Sequence, residues 1–248
     1  MTLPERLAAI DVGAMTTSLH ARGHATLPQL VPHDVVDELV TGFDDDARYR
    51  KTVVMERYRF GRGTYRYYAA PLPPAVQLLR AGLYEKLVPV ADEWMRRLGD
   101  ETRFPPTLTA LSALCGQRLQ TLPTPLILRY GPGDFNTLHQ DLYGEVWFPL
   151  QAIVVASMPD VDHTGGELVL TQQNPRAQSQ AIVLRPNKGD VVVLATNFRP
   201  TPSRMTELGD KAAFKSTGYT RVTLRHGVSE VLSGQRHAVG IIFHDAIS

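Results

Sequence analysis

The middle of the chain carries the stretch Arg129-Tyr130-Gly131-Pro132-Gly133-Asp134-Phe135-Asn136-Thr137-Leu138-His139-Gln140-Asp141. The apolar run Pro125–Tyr130 predicts a strand, and the Gly-Pro-Gly sequence after it predicts a tight turn. The segment that follows the turn is then extended, and residues two apart point to the same face of an extended segment. His139 and Asp141 can therefore converge on one metal ion.

A second histidine would complete a face of two imidazoles and one carboxylate. Such a face leaves three metal positions open and suits Fe(II) and O2. His226 is a candidate because it follows the β-rich run Thr220–Arg225. His163, His237 and His244 compete for this role. His237 and His244 are better explained by packing or hydrogen bonding, and His163 by a solvated turn.

An arginine lies at a fixed distance beyond this histidine. Arg236 is ten residues after His226, across a turn that contains Ser233 and Gly234. A strand, a turn and a returning strand would place its guanidinium deep in a barrel. The planar guanidinium can bind a carboxylate through two parallel hydrogen bonds, so we expect Arg236 to hold an organic acid.

The second half of the chain predicts an all-β core. Short β-rich runs are separated by turn residues, without intervening helices, which is typical of an all-β sandwich or a jelly roll. The predicted strands lie near Pro125–Tyr130, Trp147–Ala156, Glu167–Leu170, Ala181–Leu184, Asp190–Ala195, Thr220–Arg225 and His237–Phe243. Arg199–Thr217 interrupts this pattern and predicts a long surface loop or a lid beside the site.

The first half has mainly helical spacing of its apolar residues. Helices are predicted over His33–Val40, Ala75–Leu98 and Phe104–Leu119, with a kink or break at Pro89. We therefore expect a mainly helical region, 1–124, packed on a catalytic core, 125–248, that folds as a double-stranded β-helix. The whole is α+β and forms one compact unit.

Composition narrows the class of protein. The chain has 248 residues, 43% of them hydrophobic, and a formal net charge of +1, so charge alone does not favour a polyanionic partner. Cys115 is its only cysteine, which excludes an intrachain disulfide and suits a reducing cytoplasm. Residues 1–12 lack the pattern of a signal peptide, and no segment approaches the length of a membrane span.

The segment 48–68 combines basic and aromatic residues and allows two interpretations. It holds seven basic residues and a single acid, Glu56, interleaved with Tyr and Phe. Such a surface could bind phosphates and stack on a base, with Arg59, Arg62 and Tyr65 as candidate contacts. The simpler interpretation, which we favour, is an edge hairpin whose arginines lie in solvent beside the acidic run Asp44-Asp45-Asp46.

The order His-x-Asp, distal histidine and arginine ten residues later resembles the Fe(II)/2-oxoglutarate dioxygenases, particularly the prolyl 4-hydroxylase-like group. The run Arg129–Asp141 is also similar to that of AlkB-type nucleic-acid demethylases. Over most of its length the chain resembles a bacterial family of 2-oxoglutarate oxygenases described as acting on damaged DNA. The shared motifs are Phe60–Gly63, Leu128–Gly131, Leu138–Glu145, Thr164–Glu167, Arg225–Ser229 and Gly240–Asp245.

The resemblance implies a role for five residues. His139, Asp141 and His226 would bind Fe(II), Arg236 would pair with the distal carboxylate of 2-oxoglutarate, and Tyr130 would donate its phenol to this cosubstrate. The implied reaction consumes O2, releases succinate and CO2, and hydroxylates or oxidatively demethylates an organic substrate.

The substrate is predicted less sharply than the reaction. AlkB-type enzymes carry an asparagine two residues before the motif tyrosine, where this chain has Leu128, and place two arginines farther beyond the distal histidine. The expected substrate is a nucleic acid or a nucleotide-like molecule, with a peptide residue or small metabolite as the alternative. A jelly-roll metal-binding or sensing module without turnover is the non-enzymatic alternative. No obligate protein partner is indicated.

Overall fold

The chain folds around two β-sheets, in a computed structural model that describes residues 1–203 and 218–247. The helices are α1 (Leu3–Ala8), α2 (Val12–Arg22), α3 (His33–Thr41), α4 (Pro74–Arg97) and α5 (Leu108–Gln117). The strands are β1 (His24–Leu27), β2 (Tyr49–Val54), β3 (Gly61–Arg62), β4 (Thr64–Tyr68), β5 (Leu126–Tyr130), β6 (Phe135–His139), β7 (Leu150–Val155), β8 (His163–Gly165), β9 (Leu168–Gln173), β10 (Ser179–Leu184), β11 (Val191–Ala195), β12 (Phe198–Pro202), β13 (Tyr219–Val228), β14 (Val231–Gly234) and β15 (Arg236–Ile241).

The strands form a larger and a smaller antiparallel sheet. The larger sheet has the order β1-β11-β7-β15-β5-β4-β2. The smaller has the order β10-β9-β13-β6-β3, with β12 also paired to β13, and β14 pairs with β8 separately. Residues from both sheets line one cavity between them. This arrangement confirms the predicted double-stranded β-helix with additional helices.

Side chains alternate between the two faces of β15, as in a pleated strand. On β15, the side chains of Arg236 and Ala238 face the cavity between the sheets. Val239 and Ile241 face the opposite way and join the main hydrophobic core with α4. One face of β15 therefore anchors the strand, and the other carries polar groups for the site.

A buried ion pair joins α4 to the chain just beyond β15. The Arg80 guanidinium donates to the carbonyl oxygens of Ile242 (2.9 Å) and Phe243 (2.8 Å) and to Asp245 Oδ1 (2.7 Å). Burying a guanidinium costs folding free energy unless its N–H groups are hydrogen-bonded. These three bonds therefore favour one position of the chain at the end of β15.

The structure differs from the predicted elements in several places, three of which bear on the fold of the core. Helix α4 continues through Pro89, so the predicted break is wrong; the helix is long enough to tolerate a lost hydrogen bond while its apolar face stays buried. The strand β6 was not predicted as such. The predicted loop Arg199–Thr217 begins as the paired strand β12, and its remaining residues 204–217, with the suggested lid, lie outside the described residues.

The N-terminal region contributes strands as well as helices. Strand β1 pairs with β11, and β4 pairs with β5, so both extend the larger sheet. The division at residue 124 stays a prediction. Within the part of the chain that the structure describes, no helix combines the length and apolar character needed to cross a bilayer.

Candidate active site

Two histidines and one aspartate meet where β6 and β13 run side by side. His139 ends β6 and lies directly opposite His226 of β13 in the antiparallel register. Asp141 follows two residues after His139; its Oδ2 is 3.3 Å from His226 Nε2 and its Oδ1 is 3.6 Å from His139 Nε2. One ligand atom from each residue lies within 4.8 Å of the others, a spacing that fits a single metal ion.

A glycine allows the two strands to approach closely at this point. The register of β13 on β6 shifts between His226 and Val228, around Gly227. A Cβ atom at Gly227 would lie 2.6 Å from the carbonyl oxygen of Asn136, which is closer than real side chains allow. The absence of a side chain therefore permits the irregular pairing that sets His226 against His139.

The protonation of the cluster suits a cation. His139 Nδ1 lies 2.8 Å from the Thr137 carbonyl oxygen and donates to it, so its Nε2 lone pair faces the cluster. Burial lowers the pKa of His139, which favours the neutral imidazole. Burial alone would raise the pKa of Asp141, but the neighbouring His139 and His226 hold it well below its ordinary value. Asp141 is therefore a carboxylate.

Arg236 brings a second charge into the same cavity. Its side chain is 5% exposed, and its guanidinium carbon lies 5.5 Å from the centre of the Tyr130 ring. Among the described residues, its Nη1 has no hydrogen-bond partner. Burial lowers the pKa of Arg236, yet an arginine stays charged in proteins. A buried cation without an acidic partner favours an anionic ligand.

Tyr130 stands opposite Arg236 in the register of β5 and β15. Its hydroxyl accepts a hydrogen bond from Asn136 Nδ2 at 3.2 Å. Burial raises the pKa of Tyr130 to about 12, so the phenol keeps its proton and can donate it to an oxygen atom. The cavity that contains these groups has a volume of about 230 Å³ and opens between the two sheets.

The other candidate histidines lie apart from the cluster. His163 is only 6% exposed and its Nδ1 lies 2.9 Å from the Gly165 carbonyl oxygen, so the expectation of a solvated turn is wrong. The ring of His237 packs on Phe43 on the outer face of β15. His244 Nδ1 accepts the backbone N–H of Phe148, as expected of a packing residue.

Tyr65, Arg59 and Arg62 were predicted as substrate contacts. Tyr65 lines the cavity. Arg59 and Arg62 are exposed and lie outside its lining, on the segment that carries Phe60 to the cavity mouth.

The sequence analysis did not identify three residues that contribute to the site. Gln151 Nε2 lies 3.3 Å from both ring nitrogens of His226, and Asn136 holds Tyr130. Tyr143 donates its hydroxyl proton to Asp141 Oδ1 at 2.9 Å. Only Tyr143 had a signal in the sequence, because it continues the alternate spacing of His139 and Asp141.

Comparison with protein families gives one match that covers most of the chain. The profile of a family described as "Oxygenase, catalysing oxidative methylation of damaged DNA" matches residues 63–246. The chain belongs to this oxygenase family. Two uncharacterised proteins of Mycobacterium tuberculosis, from strains CDC 1551 and H37Rv, are each 41% identical to this oxygenase over 179 residues, which is 72% of each chain.

Solved structures share the fold of this oxygenase at low sequence identity. A prolyl-4-hydroxylase of Pseudomonas putida superposes with a TM-score of 0.53 at 13% identity, covering 95% of this chain and 98% of that one. A prolyl hydroxylase of Trichoplax adhaerens, in complex with a hypoxia inducible factor peptide, gives 0.52 at 12% identity, covering 98% and 92%. Membership of an oxygenase family makes the chain an oxidoreductase, so a sensing module without turnover is no longer supported.

We predict that His226→Ala abolishes tight binding of a divalent cation. The loss should exceed the roughly 10- to 100-fold effect of residues that only orient a ligand, because two of three donors cannot hold the ion. Titration with Co(II), followed by its visible absorption, measures the dissociation constant. His33→Ala, at an exposed histidine of α3, is the matched control. Equal affinities of the two variants would contradict the proposed ligand set.

Proposed function

We propose that this oxygenase binds Fe(II) through His139, Asp141 and His226 and uses 2-oxoglutarate as cosubstrate. The observation that carries the proposal is the meeting, in one cavity, of the His-Asp-His cluster and the buried Arg236 guanidinium, whose Nη1 has no hydrogen-bond partner among the described residues. Held by these residues, Fe(II) and 2-oxoglutarate would supply the chemistry for oxidising a C–H bond of the substrate with O2, with succinate and CO2 as the products of the cosubstrate.

Different residues around the cavity would bind the metal ion and the cosubstrate. Two imidazoles and one carboxylate supply a facial set of donors that fits Fe(II) and leaves positions open. Arg236 offers two parallel N–H donors to the distal carboxylate of 2-oxoglutarate, and Tyr130 offers an O–H beside it. Apolar side chains of the two sheets, such as Leu128 and Leu168, line the cavity beside these polar groups and would limit the access of water to them.

We predict that Arg236→Lys raises the KM for 2-oxoglutarate by about 10- to 100-fold, since lysine keeps the charge but loses the paired hydrogen bonds. Succinate formation at varied 2-oxoglutarate measures this. Arg199→Lys is a matched control, because Arg199 is also buried but bonds Gln172 and the His20 carbonyl outside the cavity. A similar rise in both variants would count against a role for Arg236 in cosubstrate binding.

The substrate proposal starts from the mouth of the cavity. The rings of Tyr58 and Phe60 stack with centroids 5.6 Å apart, although the two residues are 56% and 46% exposed. Phe60 also lines the cavity. An exposed, stacked pair of rings at a cavity mouth offers a flat surface on which a nucleobase can stack.

Apart from Arg50, which donates to the Pro123 carbonyl oxygen and lies over the Tyr67 ring, the arginines of the segment 48–68 fall into two groups. Arg48 and Arg66 pair with Asp45 and Asp46 at the hairpin of β2 and β4, which agrees with the simpler interpretation of that part, except that the Arg66 side chain is only 14% exposed and does not lie in solvent. Arg57, Arg59 and Arg62 are exposed, and no side-chain hydrogen bond or ion pair joins them to the described residues. Exposed arginines without such partners therefore alternate in the sequence with Tyr58 and Phe60.

We infer that the substrate is a methylated base in a single-stranded nucleic acid. The family description names damaged DNA, and the rings and arginines at the mouth support a base with adjoining phosphates. Oxidation of an N-methyl group releases formaldehyde, so this chemistry removes a methyl group. A reducing cytoplasm suits such an enzyme, whose only cysteine, Cys115, is a buried thiol.

We predict that the double variant Arg59→Gln, Arg62→Gln binds a methylated oligonucleotide more weakly and with less dependence on salt. The slope of log K against log salt should fall by about 0.7 for each lost phosphate contact with a single strand. Fluorescence anisotropy at several salt concentrations measures the slope, and Arg103→Gln, at an exposed arginine beyond α4, is the control. Succinate formation with a peptide or metabolite, but no formaldehyde from methylated strands, would favour the alternative hydroxylase.

A further inference from the structure

Asp141 presents its two oxygen atoms to different neighbours. Oδ2 lies 3.3 Å from His226 Nε2. Oδ1 lies 3.6 Å from His139 Nε2 and also accepts the Tyr143 hydroxyl at 2.9 Å. A hydrogen bond from a phenol to a carboxylate is charge-assisted and is stronger than one between neutral groups. The two oxygens are therefore not equivalent, and Oδ2 is the one without a hydroxyl donor.

Tyr143 is itself held from several sides. The Tyr67 hydroxyl donates to the Tyr143 hydroxyl at 3.3 Å, and the two rings meet edge to face at 6.3 Å. The ring of His244 lies 5.9 Å away on another side. The guanidinium of Arg50 lies 4.5 Å from the centre of the Tyr67 ring and restricts the orientation of that ring. These contacts restrict Tyr143, so its O–H bond has a fixed direction towards Asp141.

We propose that Tyr143 is a positioning residue that makes Asp141 bind the metal through Oδ2 alone. This inference rests on the proposed function. A carboxylate that binds through both oxygens would fill one more metal position, and a chelating cosubstrate together with O2 needs all three that the facial set leaves open. By engaging Oδ1, the Tyr143 hydroxyl keeps that position available.

The test compares Tyr143→Phe with Tyr84→Phe under anaerobic conditions. Tyr84 is a matched control, because it is a buried tyrosine whose hydroxyl donates to the Pro105 carbonyl at 2.8 Å in the helical layer. Each protein is first titrated with Co(II) and then, when loaded with Co(II), with 2-oxoglutarate. Thermal unfolding of the metal-free proteins shows whether each variant is folded.

We expect Tyr143→Phe to raise the dissociation constant for 2-oxoglutarate by about tenfold or more, which is typical of residues that orient a metal ligand. Binding of Co(II) itself should change less, because Asp141 can then use both oxygens. Tyr84→Phe should leave both constants unchanged. Tyr67→Phe keeps the Tyr143 bond to Asp141 and should have a smaller effect than Tyr143→Phe.

The outcomes separate this inference from the proposed function. If folded Tyr143→Phe binds 2-oxoglutarate as tightly as the wild type, the role of Tyr143 is wrong while the proposed function stands. A larger effect of Tyr67→Phe than of Tyr143→Phe would also overturn it. If the wild-type protein binds neither Co(II) nor 2-oxoglutarate, the proposed function itself fails.

Discussion

The antiparallel pairing of β6 with β13 is the contact on which the site depends. It sets His139 opposite His226, two residues that are far apart in the sequence, and the extended chain after β6 then turns Asp141 to the same face. Gly227 permits the close approach, since any side chain there would meet the Asn136 carbonyl. The remaining strands and helices fix this pair of strands in place against the larger sheet.

The larger sheet forms the other side of the cavity and carries the positively charged Arg236. Alternation along β15 buries Val239 and Ile241 against the helices and leaves Arg236 facing the cavity, where it forms no ion pair with any acidic residue of the described chain and its Nη1 has no hydrogen-bond partner. A buried guanidinium without an acidic partner is costly for a folded protein, and such a cost is typical of a ligand site rather than of a structural element. The His139, Asp141 and His226 cluster, which suits a cation, and Arg236, which suits an anion, thus line a single cavity.

Much of this arrangement was predictable from local patterns. The alternate spacing of His139 and Asp141 and the β-rich run before His226 made the grouping of these residues predictable, and Arg236 faces the same cavity as expected. It does so from β15, which lies in the larger sheet between β7 and β5 and does not return beside β13. Contacts between residues far apart in sequence were not predictable: Asn136 with Tyr130, Gln151 with His226 and the pairing of Tyr67 with Tyr143 depend on sheet register. The passage of α4 through Pro89 was missed because burial of its apolar face outweighs the local preference of proline.

The most direct test of this account is an anaerobic titration of the protein with Fe(II) and then 2-oxoglutarate, followed by visible absorption. Chelation of Fe(II) by the keto acid in a site of two histidines and one carboxylate produces a weak metal-to-ligand charge-transfer band. We expect this band to appear only when both ligands are present, and to be lost in Asp141→Ala. Its absence from the folded wild-type protein, or its persistence in Asp141→Ala, would contradict the account.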